Sequence, residues 1–358
     1  MEFGLSQEQR QLQDMSNKFL AEQVDLDAVR IVAAGEGDDK AIWQGLSDLG
    51  IAGLMIPEAC GGVGLGALDA VVIAECLGYH VTPTPFIASA VMAPVALIAA
   101  NRDQLLTQIA SGEQRVGIAF GEALGARNKA GVRVSGNHNK PILSGSCLFV
   151  LDTDADHYLI ADANKHIYLV AADAPGLTRN NLTTVDKTRS TCELKLDNVG
   201  AELISEDPAI FHKALNVGRV VQAADTLGAA QYMLDQSVSY AMEREQFNRV
   251  IASFQAVKHM CAEMVSILEP CRAMVWYAGH ALDELPEEAT LQACQTKSQL
   301  SEVGQFVAKT ATEVHGGMGF TDLVGLHYWF KRIGANRQLL GSPELVRVEA
   351  ARAQGFID

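Results

Sequence analysis

The sequence predicts an α+β multidomain fold in which a helical region, a β region and a second helical region follow one another. Residues 1–112 and 206–358 carry apolar side chains at the three- and four-residue spacings of amphipathic helices. Residues 113–205 instead contain short runs with a period of two, separated by Gly, Asn, Asp and Pro. We therefore expect three domains with these bounds.

The N-terminal region is predicted to be mostly helical. Apolar helical runs span 68–77 and 88–100. The glycine cluster at 61–66 suggests a dinucleotide fingerprint, but Pro57 and Glu58 precede it where a buried strand should lie, and the last glycine of G-x-G-x-x-G is absent. We interpret the cluster as a tight loop between helices.

The middle region is predicted to form a compact β domain. Its strand candidates combine β-branched and aromatic residues with polar turns on either side. These candidates lie at 132–135, 148–151, 158–160, 166–170 and 192–196.

The C-terminal region holds the densest group of candidate site residues. One amphipathic helix ends near Arg244, and the join to the next helix presents Gln246, Phe247 and Gln255 beside that arginine. An Arg at a helix end can bind a phosphate through two hydrogen bonds, and an aromatic ring beside it can cover a purine. An alternative interpretation pairs Arg244 with one of the glutamates on either side of it, over a buried Phe247.

Two further helices are predicted in this region. A long helix begins at Pro286 and ends near Gly316 and Gly317, and a last helix begins near Pro343. The sequence contains no internal repeat and no low-complexity linker. The C-terminal region is therefore expected to be a continuous helical domain.

The composition narrows the classes of partner. The formal net charge is −15 at pH 7, and the Lys and Arg residues are dispersed, which argues against a nucleic-acid partner. No apolar run reaches membrane-spanning length, and the N-terminus lacks a basic segment before an apolar core, so we expect a cytoplasmic protein without a membrane partner. The cysteines are odd in number and lack CxxC spacing, which indicates reduced thiols and no metal site.

Three motifs, in this order along the chain, resemble the acyl-CoA dehydrogenase family. Residues 43–62 (WQGLSDLGIAGLMIPEACGG) resemble its W…L…G-x-x-G-L-x-x-P-E-x-x-G-G element. Residues 244–247 (REQF), with 254–257 (FQAV), resemble its R-x-Q-F-G…F-Q-A-V signature. Residues 315–321 (HGGMGFT) resemble its H-G-G-x-G-F-T element. The resemblance therefore spans nearly the whole chain.

The resemblance implies a middle β-barrel domain, a C-terminal four-helix bundle and an FAD cofactor bound between them in dimers or tetramers. The family reaction removes an α-proton from an acyl-CoA with a carboxylate base while the β-hydride passes to the flavin. Electron-transfer flavoprotein or a similar acceptor then takes the electrons. By resemblance, the residues that reach the adenosine diphosphate half of a neighbouring subunit's FAD are Arg244, Gln246, Phe247, Gln255, Gly316 and Gly317.

The sequence departs from the family at both of its base positions. Leu340 stands where many members carry the Glu of a Y-E-G-T-S/N-E-I stretch, and Gly218 falls at a second family location on the first bundle helix. Neither residue can take a proton. Two nearby carboxylates, Asp225 and Glu344, are weak candidates that we interpret as structural: a buried or paired Asp and a helix-start Glu.

The expected flavin contacts of the middle region are also altered. Where members carry T-E-P-x-A-G-S-D, this sequence has FGEALGAR at 120–127, and where they carry W-I-T it has FVL at 149–151. Glu313 replaces a Gln that members place three residues before the Gly-Gly pair. The two segment changes remove groups that would hold a flavin ring in this subunit. By the same resemblance, Glu313 places an anion where a hydrogen-bonding amide would face the adenosine half of the cofactor.

The chain thus resembles the non-catalytic subunit of a heterotetrameric α2β2 acyl-CoA dehydrogenase. Such a chain would complete the FAD site of a homologous, Glu-bearing partner subunit that acts on a bulky acyl-CoA, such as a steroid-derived thioester. Two alternatives stay open. The chain could be a homo-oligomeric acyl-CoA dehydrogenase with an unrecognised base, or a flavin-free structural subunit.

Overall fold

The computed structural model describes residues 4–125 and 130–357. The N-terminal region is helical, as predicted. The glycines at 61–66 lie in a loop that leads into the fourth helix, as also predicted. Ser6 caps the first helix by accepting a hydrogen bond from the N–H of Gln9 over 3.1 Å. A π-helical turn at Ile87–Met92 leads directly into the fifth helix. The helices are α1 (Gln7–Gln23), α2 (Leu26–Ala34), α3 (Lys40–Asp48), α4 (Ala67–Tyr79), α5 (Ala93–Ala99) and α6 (Asp103–Ala110).

The middle region forms one eight-stranded sheet with a short helix, α7 (Gly121–Leu124), after its first strand. All five predicted strands are present, and β1, β6 and β8 are additional. The strands are β1 (Val116–Ala119), β2 (Gly131–Asn137), β3 (Lys140–Leu151), β4 (His157–Ala161), β5 (Ile167–Ala171), β6 (Leu177–Asn181), β7 (Thr191–Gly200) and β8 (Glu202–Ser205).

The strand order in the sheet is β6-β7-β3-β1-β4-β5-β8, with β2 paired to β3. Strands β1 and β4 run parallel, and the other neighbours run antiparallel. The register between β3 and β7 shifts between Cys147 and Val150. Phe149 lies at this irregularity with φ at 54°, a left-handed conformation that is uncommon outside glycine.

The C-terminal region returns to helices, as predicted. Asp207 caps the longest helix, which begins at Pro208, by accepting a hydrogen bond from the N–H of Ala209 over 2.9 Å. Prolines occupy the first turn of three helices in this region. The helix α11 was not predicted. The elements are α8 (Pro208–Glu243), β9 (Glu245–Gln246), β10 (Arg249–Val250), α9 (Gln255–Glu284), α10 (Pro286–His315), α11 (His327–Gln338) and α12 (Pro343–Ala353).

Helices α4 and α8 cross at two glycines. A Cβ atom at Gly78 would overlap the carbonyl oxygen of Asp225, and one at Gly228 would overlap the carbonyl oxygen of Glu75. The two backbones therefore touch without side chains between them. One hydrophobic core continues through this crossing from the N-terminal helices into the bundle, while the sheet has a second core of its own.

Within residues 4–125 and 130–357, none of the helices combines the length and the apolar character that crossing a bilayer requires.

Candidate functional site

A cavity of about 830 Å³ lies where the three regions of the chain meet. The N-terminal region contributes Thr84 to its wall, the sheet region contributes Ile118 and Phe149, and the bundle contributes Gln222 and Leu340. Most of the wall is apolar. A largely apolar cavity of this size with a few convergent polar groups is typical of a small-molecule site.

A buried ion-pair network forms one side of the cavity. Arg115 donates to both oxygens of Asp39, over 2.7 and 3.0 Å, and to both oxygens of Asp152, over 2.9 and 2.7 Å. Burial lowers the pKa of Arg115, but the charges and hydrogen bonds of the two aspartates outweigh burial and leave its pKa raised. This arginine is therefore a permanent cation that is already fully paired.

A second arginine on the wall is also paired. Arg189 donates from Nε and Nη2 to Oδ2 of Asp186, over 3.1 and 3.0 Å. Burial raises the pKa of Asp186, but the charges of Arg189 and Arg332 outweigh burial and keep its pKa below the ordinary value. The two carboxylates of the Arg115 network and this Asp186 are thus engaged by cations.

Gly218 and Leu340, the two positions predicted for a family base, lie side by side, and Leu340 lines the cavity. A Cβ atom placed on Gly218 would lie 2.5 Å from Sδ of Met92 and 3.1 Å from Cδ1 of Leu340. Leu340 is buried and has φ at 59°. Gly218, Met92 and Leu340 therefore form one apolar patch.

A buried arginine stands behind this patch. Arg219 is fully buried and donates to the carbonyl oxygen of Leu340 over 2.9 Å. Its Nη1 and Nη2 form a bidentate pair with Glu349 of α12, over 2.5 and 3.0 Å. Burial raises the pKa of Glu349, but the hydrogen bonds and charge of Arg219 outweigh burial and lower it overall.

Asp225, the first weak candidate for a base, lies inside the bundle and away from the cavity wall. It accepts a hydrogen bond from Nδ2 of Asn336 over 2.6 Å and pairs with Arg332 over 3.3 Å and Arg189 over 3.8 Å. These partners engage both of its oxygens, which fits the structural interpretation.

Glu344, the second weak candidate, lies in the first turn of α12 with an exposed side chain. A hydrogen bond from Ser342 and one from its own main chain lower its pKa. It pairs with Arg337 over 3.5 Å and does not line the cavity. Its position at a helix N-terminus fits a helix-start residue.

The Arg244 motif forms an exposed hairpin, away from the cavity. Arg244 ends α8, and Gln246 and Phe247 form the first strand and the turn of the β9–β10 pair. The Phe247 side chain is 86% exposed, so the alternative of a buried phenylalanine is wrong. Among the described residues, no carboxylate forms an ion pair with Arg244, so its guanidinium is available for a ligand.

The second part of this surface lies at the ends of α9 and α10. Gln255 opens α9 with an exposed side chain that contacts His259 over 3.4 Å. Gly316 and Gly317 follow α10 and are exposed, and a Cβ atom on either would meet nothing within 4 Å. Glu313, one turn earlier, is also exposed. The structure thus leaves the predicted cofactor residues at the molecular surface.

The altered middle-region segments line the cavity. Residues 120–122 and 124–125, together with Leu148, Phe149 and Leu151, form its sheet side, and the Phe149 side chain is half exposed. Positions 126 and 127 of the predicted segment lie outside the described residues. The apolar replacements therefore face the cavity.

Sequence reasoning did not find the polar residues of the cavity. Arg115 and its two aspartates are 37 and 76 positions apart in the chain, so no local motif joins them. Gln222 could have been found, because it follows Gly218 by one helical turn and therefore shares its face of α8.

Comparison with protein families supplies the decisive observation. Residues 6–113 match the acyl-CoA dehydrogenase N-terminal domain, and residues 209–354 match the acyl-CoA dehydrogenase C-terminal domain. The chain belongs to the acyl-CoA dehydrogenase family. The sequence resemblance is therefore confirmed, and so is the expected order of helical, β and helical regions for this family.

Curated relatives extend over the whole chain. The acyl-CoA dehydrogenase IpdE2 of Mycobacterium tuberculosis is 30% identical over 350 residues, which is 95% of either chain. IpdE2 of Mycolicibacterium smegmatis is 28% identical and covers 97% of this chain and 99% of its own. Both are acyl-CoA dehydrogenases by description, as the family assignment requires.

Solved structures of the family have the same fold. A variant of the Tcur3481–Tcur3483 steroid ACAD superimposes with a TM-score of 0.90 at 29% identity, over 98% of either chain. The ChsE4–ChsE5 complex of Mycobacterium tuberculosis superimposes with a TM-score of 0.92 at 24% identity, over 100% of either chain. The three-region architecture is thus common to this chain and these acyl-CoA dehydrogenases.

Proposed function

We propose that this chain is the non-catalytic subunit of a heteromeric, FAD-dependent acyl-CoA dehydrogenase. The observation that carries the proposal is that Gly218 and Leu340, the two positions predicted for a family base, lie close together: a Cβ atom on Gly218 would lie 3.1 Å from Cδ1 of Leu340. A general base must lie within hydrogen-bonding reach of the proton that it removes. Neither residue of this pair can remove one, and a Cβ atom on Gly218 would lie only 2.5 Å from Sδ of Met92.

The exposed residues at the bundle end would instead serve a cofactor in the partner subunit. FAD, when bound, accepts the hydride of the family reaction. The unpaired guanidinium of Arg244 suits the pyrophosphate of the cofactor, and the exposed ring of Phe247 suits its adenine ring. The open space above Gly317 admits a ligand close to the main chain. Gln246, Gln255 and Gly316 adjoin them.

The proposed partner is a homologous acyl-CoA dehydrogenase subunit that carries the catalytic glutamate. Similarity to the Tcur3481–Tcur3483 steroid ACAD, at 29% identity, supports a two-component enzyme and a bulky, steroid-derived acyl-CoA as substrate. Electron-transfer flavoprotein or a similar protein would take the electrons from the reduced flavin.

A second candidate function is a homo-oligomeric acyl-CoA dehydrogenase. The cavity itself favours it, because this chain encloses about 830 Å³ of its own and the buried side chain of Glu122 lies on the wall. In that case Glu122 is the carboxylate to test as a base.

The flavin content of the purified chain separates these functions. We expect the chain alone to be colourless, and a complex with a Glu-bearing partner to show the absorbance of bound flavin. Full flavin absorbance and acyl-CoA oxidation by the chain alone, with the oxidation but not the absorbance lost in Glu122→Gln, would establish the homo-oligomeric enzyme instead. If neither the chain nor the complex contained flavin, the result would favour the flavin-free structural subunit.

A further inference from the structure

A second arginine, Arg249, lies on the exposed hairpin that follows α8. The hairpin turn consists of Phe247 and Asn248, whose φ angles of 56° and 60° are both positive, as a two-residue hairpin turn requires. The register of the hairpin pairs Arg249 with Gln246. Among the described residues, no carboxylate forms an ion pair with Arg249. Position 249 lies between the R-x-Q-F-G and F-Q-A-V elements of the family signature, so the resemblance gives this residue no role.

Arg249 lies on the same face of the hairpin as Arg244. Side chains alternate between the two faces along a strand, and residues that pair across two strands share a face. The N–H of Ile251 donates to the carbonyl oxygen of Arg244 over 2.8 Å, so the pairing continues to this residue. Arg244, Gln246 and Arg249 therefore share one face. Diagonal neighbours of this kind lie about 7–8 Å apart, within reach of two long side chains that meet at one ligand.

The ring of Phe254 orients the guanidinium of Arg249. Cζ of Arg249 lies over this ring, 4.0 Å from its centroid. The ring of Phe247 packs against the same phenylalanine at an angle of 75°, with the centroids 6.0 Å apart. A guanidinium that stacks on a ring keeps the N–H groups at its edge free to donate. Arg249 thus presents oriented donors that have no acceptor in the part of the chain that the structure describes.

The two arginines together match the charge of a diphosphate ester. A dinucleotide carries a negative charge on each of its two phosphates, and a guanidinium binds a phosphate through charge-assisted hydrogen bonds. The chain as a whole opposes such a ligand, because its formal net charge is −15. The attraction must therefore come from cations at the site itself. The carboxylate of Glu245 does not cancel them, since its side chain points to the other face of the hairpin.

We propose that Arg249 is a second diphosphate-binding residue of this chain and acts together with Arg244. Arg244 donates to one phosphate and Arg249 to the other, and Phe254 is the positioning residue that orients Arg249. This inference rests on the proposed function, in which the diphosphate belongs to the FAD of the partner subunit. It adds that the hairpin selects a diphosphate over a monophosphate.

The test compares the binding of ADP-ribose and AMP to the isolated full-length chain, followed by phosphorus NMR. These ligands share the adenosine group and have nearly the same charge at neutral pH, but only ADP-ribose contains a diphosphate. We expect saturable shifts of the phosphorus resonances. ADP-ribose should bind about tenfold more tightly than AMP, the equivalent of one further charged hydrogen bond. This comparison needs no variant and so does not depend on the folding of one.

The variants separate Arg249 from the general charge of the surface. Arg249→Ala should weaken the binding of ADP-ribose about tenfold and leave the affinity for AMP nearly unchanged. Arg249→Lys keeps the charge but cannot stack as a plane on Phe254, so it should recover only part of the loss. Lys258→Ala removes an exposed cation from the nearby first turn of α9, and this control should change neither affinity.

Three results would overturn the proposal. They are equal affinity for ADP-ribose and AMP in the wild-type chain, an equal loss of both ligands in Arg249→Ala, and ADP-ribose binding that is absent or unchanged by Arg249→Ala. Binding that is unchanged would place the diphosphate elsewhere on the chain. The proposed function fails on a different measurement, the flavin content of the complex, so either can fail without the other.

Discussion

Nε of Arg219 donates a hydrogen bond to the carbonyl oxygen of Leu340 over 2.9 Å. The same guanidinium pairs with Glu349, so a buried cation connects α8, the turn that carries Leu340, and α12. This bond holds Leu340 in its left-handed conformation and against Gly218. The apolar patch at the two base positions is thus fixed by a charged group directly behind it.

Glu349→Gln should destabilise the chain by about 3 kcal/mol, because it leaves the buried charge of Arg219 without its counter-ion. The midpoint of urea denaturation measures the loss. Glu344→Gln, on the exposed start of the same helix, is the control and should leave the midpoint near the wild-type value.

The effect of Glu349→Gln should also depend on pH. Pairing holds the pKa of Glu349 in the folded chain below its ordinary value of 4.5, so its stabilisation is fully present above that pH and is lost as the pH falls through the folded-state pKa. The difference in the free energy of unfolding between wild type and variant should stay constant from about pH 7 to about pH 5 and narrow below about pH 4.5. If this difference stayed constant at still lower pH, the ion pair would not contribute this pH-dependent stability.

Arg244→Ala should increase the rate at which FAD leaves the assembled complex by about ten- to a hundredfold, the equivalent of one charged hydrogen bond. The chain should keep its thermal denaturation midpoint, because this side chain has no ion pair within the described residues. Flavin absorbance after dialysis measures the loss. Lys258→Ala, exposed on α9, is the control, and equal retention in all three proteins would remove Arg244 from the FAD site.

Gly317→Val should lower flavin retention without lowering thermal stability. A Cβ atom at this position would meet nothing within 4 Å in this chain, so we expect the substitution to affect a ligand above the main chain and not the packing. Gly316→Val is the contrast: Gly316 has φ at +56°, where a β-branched residue is strained, and its thermal midpoint should fall. If Gly317→Val retains flavin fully, the glycine serves only the end of α10.

Leu340→Glu should not create an active site in the isolated chain. A carboxyl group there would lie in the apolar patch with Met92, where burial raises its pKa and keeps it protonated. Leu340→Ala should leave the turnover of a reconstituted complex nearly unchanged while costing about 2–4 kcal/mol of stability. Oxidation of an acyl-CoA by the isolated Leu340→Glu chain, assayed by reduction of an electron acceptor, would show that this subunit had kept a competent site.

The sequence predicted the parts of the fold that depend on local periodicity. The start of α10 at Pro286 and the start of α12 at Pro343 each have a proline, and both were found. The end of α8 at Glu243 was found because the apolar periodicity of the helix stops there. Helix α11 has no such signal, because Leu326 before it offers no side-chain cap.

The same difference between local and long-range information decides which residues of the candidate site could be predicted. The residues at 244–247 and 316–317 are consecutive in the chain and form a recognisable motif, whereas Arg115 with Asp39, or Gln222 with Lys297, meet only after folding. Pattern and spacing carry no information on such pairs. The exposure of Phe247 is a further example, since an aromatic residue between polar neighbours fits a buried position equally well.

The crossing of α4 and α8 at Gly78 and Gly228 bears on how the chain unfolds. Because each backbone fills the space that a Cβ atom of the other would need, even a small separation of these helices loses contacts along the whole crossing. We therefore expect the first and the last third of the chain to unfold together, as one cooperative unit. The sheet adds a second core of its own, but Ile118 and Leu159 also tie it to the core of the helices.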